Sequence, residues 1–317
     1  MSPSASLLLL LLLGLSQALP LQEEGSGELE DVDVQVPDTM DIPEEVNDYA
    51  ETPDAMESPE EEEEKDYYDE IPDTMDSEEE EDYDEEPDTM GIGSRILTTN
   101  NATDEILLEG DLLAPKTRNA IRCWYQRCLW RKSSNGLVII PFTVSSQFTG
   151  RERQMMNYAM KAFHSKTCIR FIPRTNQRDF ISIENRAGCY SNLGKAGGRQ
   201  VLSLSRRGCL YHGIIQHEIN HALGFQHEQT RSDRDRYVRI NWQNINRKMA
   251  YNFYKQNTNN LNTPYDYSSI MHYDRTAFSI RRGRDSITPI PNPNVRIGQR
   301  RGMSYWDIQR INRLYRC

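Results

Sequence analysis

Three histidines are grouped in one short stretch, His217-Glu218-Ile219-Asn220-His221-Ala222-Leu223-Gly224-Phe225-Gln226-His227-Glu228. Residues four apart on a helix share a face one turn from each other, so the imidazoles of His217 and His221 can reach one metal ion. Glu218 can lean over the same ion. Gly224 takes positive φ without steric cost, so it can end the helix and turn the chain back. That turn can deliver His227 as a third ligand. Three nitrogen ligands with one open position describe a catalytic zinc site rather than a structural one. Zinc in such a site lowers the pKa of a bound water toward neutrality. Glu218 can then act as general base and return the proton to a leaving amine. Two histidines on a solvated helix are the bland alternative. The glycine and the third histidine at fixed spacing argue against it.

The spacing is H-E-x-x-H-x-x-G-x-x-H, the long metzincin motif. Downstream, Ser269-Ile270-Met271-His272-Tyr273 matches the methionine-turn that metzincins place beneath the zinc. Glu228 follows the third histidine directly, and Tyr273 lies two residues after Met271. With these residues and the continuation to Asp235, the chain resembles the astacin family of metzincins, in particular its six-cysteine hatching enzymes (choriolysins), which digest the egg envelope. The resemblance covers about the last two-thirds of the chain.

The resemblance implies an α+β fold, a two-lobed zincin with a mixed sheet and an active-site helix. It makes Met271 packing beneath the metal. Tyr273 becomes a weak fifth ligand at rest that swings off to hydrogen-bond the tetrahedral oxyanion. Leu108-Glu109-Gly110-Asp111 resembles the family's prosegment motif, with Leu108 where the family has phenylalanine. Asp111 would then occupy the open zinc position of the zymogen. Pro115-Lys116-Thr117-Arg118-Asn119 is a polar, basic junction, and a trypsin-like protease is expected to cut it between Arg118 and Asn119. The freed amino terminus of Asn119 is expected to reach Glu228 in a charge-assisted contact.

Six cysteines in a secreted domain imply three disulfides, with fifteen connectivities open. None sits at C-x-x-C zinc-knuckle spacing. The resemblance selects Cys168–Cys317, Cys189–Cys209 and Cys123–Cys128, the last being the extra pair of the six-cysteine group.

Charge divides the chain. Residues 19–118 hold 37 Asp+Glu against 4 Lys+Arg, a balance of −33, and the rest holds 11 against 33, or +22. The overall −11 conceals this division. The acidic part lacks the apolar content for a core and is expected to be a disordered propeptide. Its recurring Pro-Asp-Thr-Met segments, as at Pro37–Met40 and Pro87–Met90, are irregularly spaced and make no solenoid. They read as a solubilising spacer or as a shield for the basic domain. A +22 domain is attracted to anionic partners. An acidic egg-envelope glycoprotein suits a secreted protein, and nucleic acid does not.

Residues 1–18 read as a signal peptide: Leu7–Leu13 is apolar but too short to span a bilayer, and Ser16-Gln17-Ala18 precedes the cut. No later segment is long and apolar enough to be transmembrane. The expected organisation is therefore signal peptide 1–18, acidic propeptide 19–118 with the aspartate-switch segment, and metalloprotease domain 119–317. The product is expected to be a secreted monomer, with storage in secretory granules compatible. Asn101-Ala102-Thr103 is a glycosylation acceptor.

The positioning elements follow from periodicity. Leu137–Phe142, Phe180–Ile183 and Val201–Leu204 read as strands. Thr149 to Glu152 has capping-box spacing ahead of Met156, Ala159, Met160 and Phe163 at helical spacing. Ser304 starts a last helix through Ile308, Ile311 and Leu314. Gly188–Ser191 is the candidate edge strand for extended substrate. His164, His212 and His272 read as structural. Two other functions fit part of the pattern: a tissue astacin with a different protein substrate, and a non-catalytic zinc-binding protein.

Overall fold

The computed structural model describes residues 91–114, 128–299 and 301–317. The signal segment, the acidic tract with its repeats, the Arg118–Asn119 junction and Cys123 lie outside the described residues.

A seven-stranded sheet carries the fold. Its strands are β1 (Leu107–Leu108), β2 (Leu112–Leu113), β3 (Val138–Val144), β4 (Ile169–Pro173), β5 (Phe180–Glu184), β6 (Cys189–Ser191) and β7 (Arg199–Leu204). They lie in the order β1-β2-β6-β7-β5-β3-β4. β3, β4, β5 and β7 run parallel, and β6 returns antiparallel to β7. The three expected strands are present. β4 has no counterpart among them, because Ile169–Pro173 is short and closes on a proline, which weakens a strand signal.

Helix α2 (Gly150–Lys166) crosses from β3 to β4. Its capping box is formed as expected: the Thr149 hydroxyl accepts from Glu152 N, and the Glu152 carboxylate accepts from Thr149 N. Met156, Ala159, Met160 and Phe163 are buried. They join Ile140, Ile169, Ile181 and Leu202 of the sheet in one core, which also takes Ile215 and Ile219 of α3 (His212–Ala222). α3 follows β7 and is buried from Gly213 to Ala222.

A second, smaller core gathers Val238, Ile240, Phe253, Tyr265, Tyr273 and Ile287 around the two-stranded sheet of β8 (Val238–Ile240) and β9 (Ile287–Pro289). Met271 belongs to the first core and Tyr273 to the second. The methionine-turn therefore lies at the seam of the two lobes.

The final helix α4 (Tyr305–Tyr315) has the expected Ser304 cap. Its buried face is partly polar. Ile311 is buried, but Asp307, Arg310 and Tyr315 lie beside it, while Ile308 and Leu314 are half-buried. Each buried polar group on this face has a partner in the interior. α1 (Ile92–Asn100) buries Ile92 and Ile96 against the same body and is followed by Asn101, which is exposed as a glycan acceptor requires.

Cys168–Cys317 and Cys189–Cys209 are formed. Cys128 is also disulfide-bonded. Among the described residues no helix is long and apolar enough to cross a membrane. Cys168–Cys317 closes a long loop and ties the chain end to the start of β4. Replacing both cysteines with alanine is expected to lower stability by about 2–5 kcal/mol, read as a fall in the denaturant midpoint.

Candidate metal centre

His217 and His221 project from one face of α3, with ring centroids 4.7 Å apart. The helix stops where the motif requires. Gly224 has φ 104°, its N–H donates to His221 O at 2.9 Å, and Phe225 N donates to Asn220 O at 3.1 Å. This pair of bonds is a Schellman cap, which needs the left-handed residue that glycine supplies. The remaining carbonyls at this helix end are also satisfied: Trp130 Nε1 donates to Ala222 O and the Tyr315 hydroxyl to Leu223 O. The reversal brings His227 back, and its Nε2 lies 3.2 Å from His217 Nε2. His221 Nε2 lies 3.1 Å from the same atom.

The far side of each ring fixes its proton. His217 Nδ1 faces Ile270 O at 2.9 Å, and His221 Nδ1 faces Phe225 O at 2.7 Å. His227 Nδ1 faces Glu109 Oε2 at 2.9 Å. A proton on each Nδ1 leaves the Nε2 lone pairs directed at one point. A tetrahedral zinc at about 2.0–2.1 Å from each nitrogen spaces them by about 3.3 Å. The observed separations fit that ion.

The fourth donor is Asp111. Its Oδ2 lies 3.1 Å from His217 Nε2 and its Oδ1 3.2 Å from His221 Nε2. The ligand atoms of Asp111, His217, His221 and His227 all lie within 4.8 Å of one another, and all four side chains are buried. Leu108 O accepts from Asp111 N at 3.3 Å, with Glu109 at φ 49° and Gly110 at φ 84° between them. The sequence Gly-Asp is thus a hairpin turn as well as a ligand.

The hairpin also covers the sheet edge. β2 pairs parallel with β6, and Ser191 N donates to Asp111 O at 3.0 Å. The Asn100 carboxamide takes the neighbouring edge position: it accepts from Cys189 N at 2.6 Å and donates to Cys189 O at 2.7 Å. The edge expected to receive substrate is β6, and here the upstream segment holds it. Sequence reading missed Asn100, an asparagine at a helix end with no local signal of its reach.

Glu218 is fully buried, and neither carboxylate oxygen has a hydrogen-bond partner. Burial first, and then the Asp111 charge, push its carboxyl well above the ordinary carboxylate range. The Tyr273 hydroxyl donates to the Glu109 carbonyl in a short contact, and its ring packs on His227 at 4.5 Å. Met271 is 3% exposed, and its carbonyl accepts from the N–H of Glu228, the residue after His227.

The methionine-turn is held by buried polar residues, of which the sequence singled out only Glu228. Asp307 accepts from Ser269 Oγ at 2.6 Å and Ile270 N at 2.9 Å. Gln229 Oε1 accepts from Tyr273 N, and Glu228 N donates to Met271 O. The Glu228 carboxylate accepts from Arg310 Nη1 at 2.5 Å, Arg310 Nη2 at 2.8 Å, Arg231 Nη1 at 3.2 Å and Asp266 N at 2.7 Å. Asn119, its expected partner, lies outside the described residues. An arginine inside an amphipathic helix reads as solvent-facing, so only the fold reveals Arg310.

The other histidines are structural, as expected. His164 Nε2 accepts from Phe171 N, and His212 packs on Tyr158. His272 lies between the Tyr265 hydroxyl and Tyr273 O, and burial lowers its pKa to about 4.

A mixed sheet over an active-site helix, three converging imidazoles and a methionine-turn define a zinc metallopeptidase of the metzincin class. The sequence matches the model of the astacin peptidase family over residues 126–316, and the chain belongs to that family. It is a zinc metalloendopeptidase. High choriolytic enzyme 1 of Oryzias latipes is 67% identical over 230 residues, 73% of this chain and 85% of that protein. Low choriolytic enzyme of the same fish is 52% identical over 235 residues, 74% of this chain and 86% of that protein. The solved structure of high choriolytic enzyme 1, described as a hatching enzyme zinc-protease, matches with TM-score 0.61 and 68% identity, over 63% of this chain and all of that one.

Arg310 lies 7% exposed against a buried carboxylate. Truncation to alanine removes two of that carboxylate's four donors, and up to about 3–5 kcal/mol of stability should be lost in urea unfolding. Arg310→Lys keeps the charge without the two-pronged contact, so an intermediate loss is expected.

Proposed function

We propose that the chain is a secreted zymogen whose processed form digests the egg envelope at hatching. Residues 1–18 serve as signal peptide, 19–118 as prosegment and 119–317 as the enzyme, freed by a trypsin-like cut after Arg118. The observation that carries the reading is the Asp111 carboxylate seated among the three Nε2 atoms. A group upstream of the catalytic domain fills the position that water must occupy. Relatives named choriolytic enzymes, alike over most of their length, favour the envelope as substrate. The +22 balance outside residues 19–118 suits an acidic glycoprotein. Action as a monomer completes the reading.

His217, His221 and His227 would hold the metal. Zinc, when bound, supplies a Lewis acid for the scissile carbonyl and an acidified water. Glu218 has two free oxygens and takes the proton of that water, then passes it to the leaving amine. The Tyr273 hydroxyl, released from the Glu109 carbonyl when the prosegment leaves, donates to the oxyanion. The β6 edge, released from β2 and Asn100, takes extended substrate backbone.

Two measurements check this. The trypsin-activated protein, offered isolated egg envelopes and casein, should swell or dissolve the envelopes, and Glu218→Ala should not. Cleavage of casein alone would keep the protease and move its biology to another tissue. Inertness toward both, in a folded zinc-loaded sample, would return the chain to the zinc-binding alternative. Separately, Tyr273→Phe should lower kcat by about 10²–10³ with KM little changed, the loss of one oxyanion donor. Full kcat would remove the assigned role.

A further inference from the structure

The three imidazoles differ in what holds their far nitrogen. His217 and His221 lean on main-chain carbonyls of the catalytic body, Ile270 and Phe225. His227 leans on a carboxylate, Glu109 Oε2, at 2.9 Å. The same oxygen accepts from the His227 backbone N–H at 3.2 Å and lies 3.3 Å from the Thr230 hydroxyl, which also faces His227 O at 2.9 Å. Glu109 is 3% exposed, so the contact is dry and charge-assisted.

The turn itself does not ask for a glutamate. Glu109 stands at φ 49° in the left-handed region, with Gly110 following at φ 84°. Glycine or asparagine suits such a position better. A glutamate held there against local preference points to the work of its side chain.

We infer that Glu109 is a positioning residue for the third zinc ligand, and that the prosegment retains the metal as well as blocking it. A carboxylate on Nδ1 sets the tautomer, orients the ring and strengthens Nε2 as a donor. The upstream hairpin thus offers two carboxylates: Asp111 from the open side of the cluster and Glu109 from behind His227. When it departs, His227 loses its outer partner while His217 and His221 keep theirs. Zinc is therefore held more tightly in the precursor than in the processed enzyme. This inference rests on the zinc reading of the site.

Zinc competition against a chromophoric chelator, on the secreted uncleaved chain, tests it without any activity assay. Glycine is at home at this φ, so Glu109→Gly keeps the turn and the carbonyl that Tyr273 uses. One zinc per wild-type chain is expected, with about 10–100-fold weaker binding in Glu109→Gly. A glycine variant that holds zinc as tightly as wild type overturns the role of Glu109 and leaves the site reading standing. A wild-type chain that takes no stoichiometric zinc overturns the site reading itself. A second measurement needs no variant. In the zinc-loaded wild type, three imidazole Nδ1 protons should be protected from exchange by NMR, and the His227 proton should lose protection on prosegment cleavage. Unchanged protection of all three overturns the inference.

Discussion

Three imidazole nitrogens with lone pairs aimed at one point repel each other unless a cation or a proton lies between them. The rest of the structure answers that constraint. Nitrogens 3.1 and 3.2 Å apart hold their places only because each ring is fixed from behind and beneath. α3 sits in the core along nearly its whole length, so two of the rings have a rigid base. The Schellman cap at Gly224 fixes the direction of the chain that carries the third. The hydrogen bonds behind the rings and the packing of Met271 then serve as walls and floor rather than as chemistry.

Latency uses the same geometry in reverse. Burying two carboxylates costs several kcal/mol each unless they are paired. Glu109 and Asp111 are paired, with the very groups that make the site active. The hairpin therefore gains its stability from the ligand set and blocks that set by the act of binding. Its backbone adds hydrogen bonds to the β6 edge, the surface proposed to take substrate, through Asp111 O and the Asn100 carboxamide. Metal position, Tyr273 hydroxyl and sheet edge are all covered by residues 100–112 together.

Beneath the cluster, charge is used structurally. Glu228 and Asp307 are buried acids that tie the zinc loop, the methionine-turn and α4 to one another. Neither touches a ligand nitrogen. Both decide where the loop bearing His227 and the turn bearing Tyr273 come to rest. Cys168–Cys317 fastens the far end of α4, so the support reaches back to the sheet.

Much was legible in the sequence. His217, His221 and His227 with Glu218 and Gly224 specify a metal-binding helix and its stop through spacing alone, because helical periodicity and glycine's left-handed freedom are local properties. Capping at Thr149 and Ser304, three strands and the structural role of the spare histidines were local too. The tertiary structure decided the rest. Arg310 and Asp307 on α4 have roles only because the fold supplies Glu228 and the methionine-turn as partners. Asn100 and Glu109 gave no signal, because their meaning depends on a hairpin meeting an edge strand and a histidine far along the chain. Spacing along one helix or turn can be read from sequence, since the backbone imposes it. Pairing between distant segments cannot, since it depends on which of many compatible surfaces the packed chain brings together.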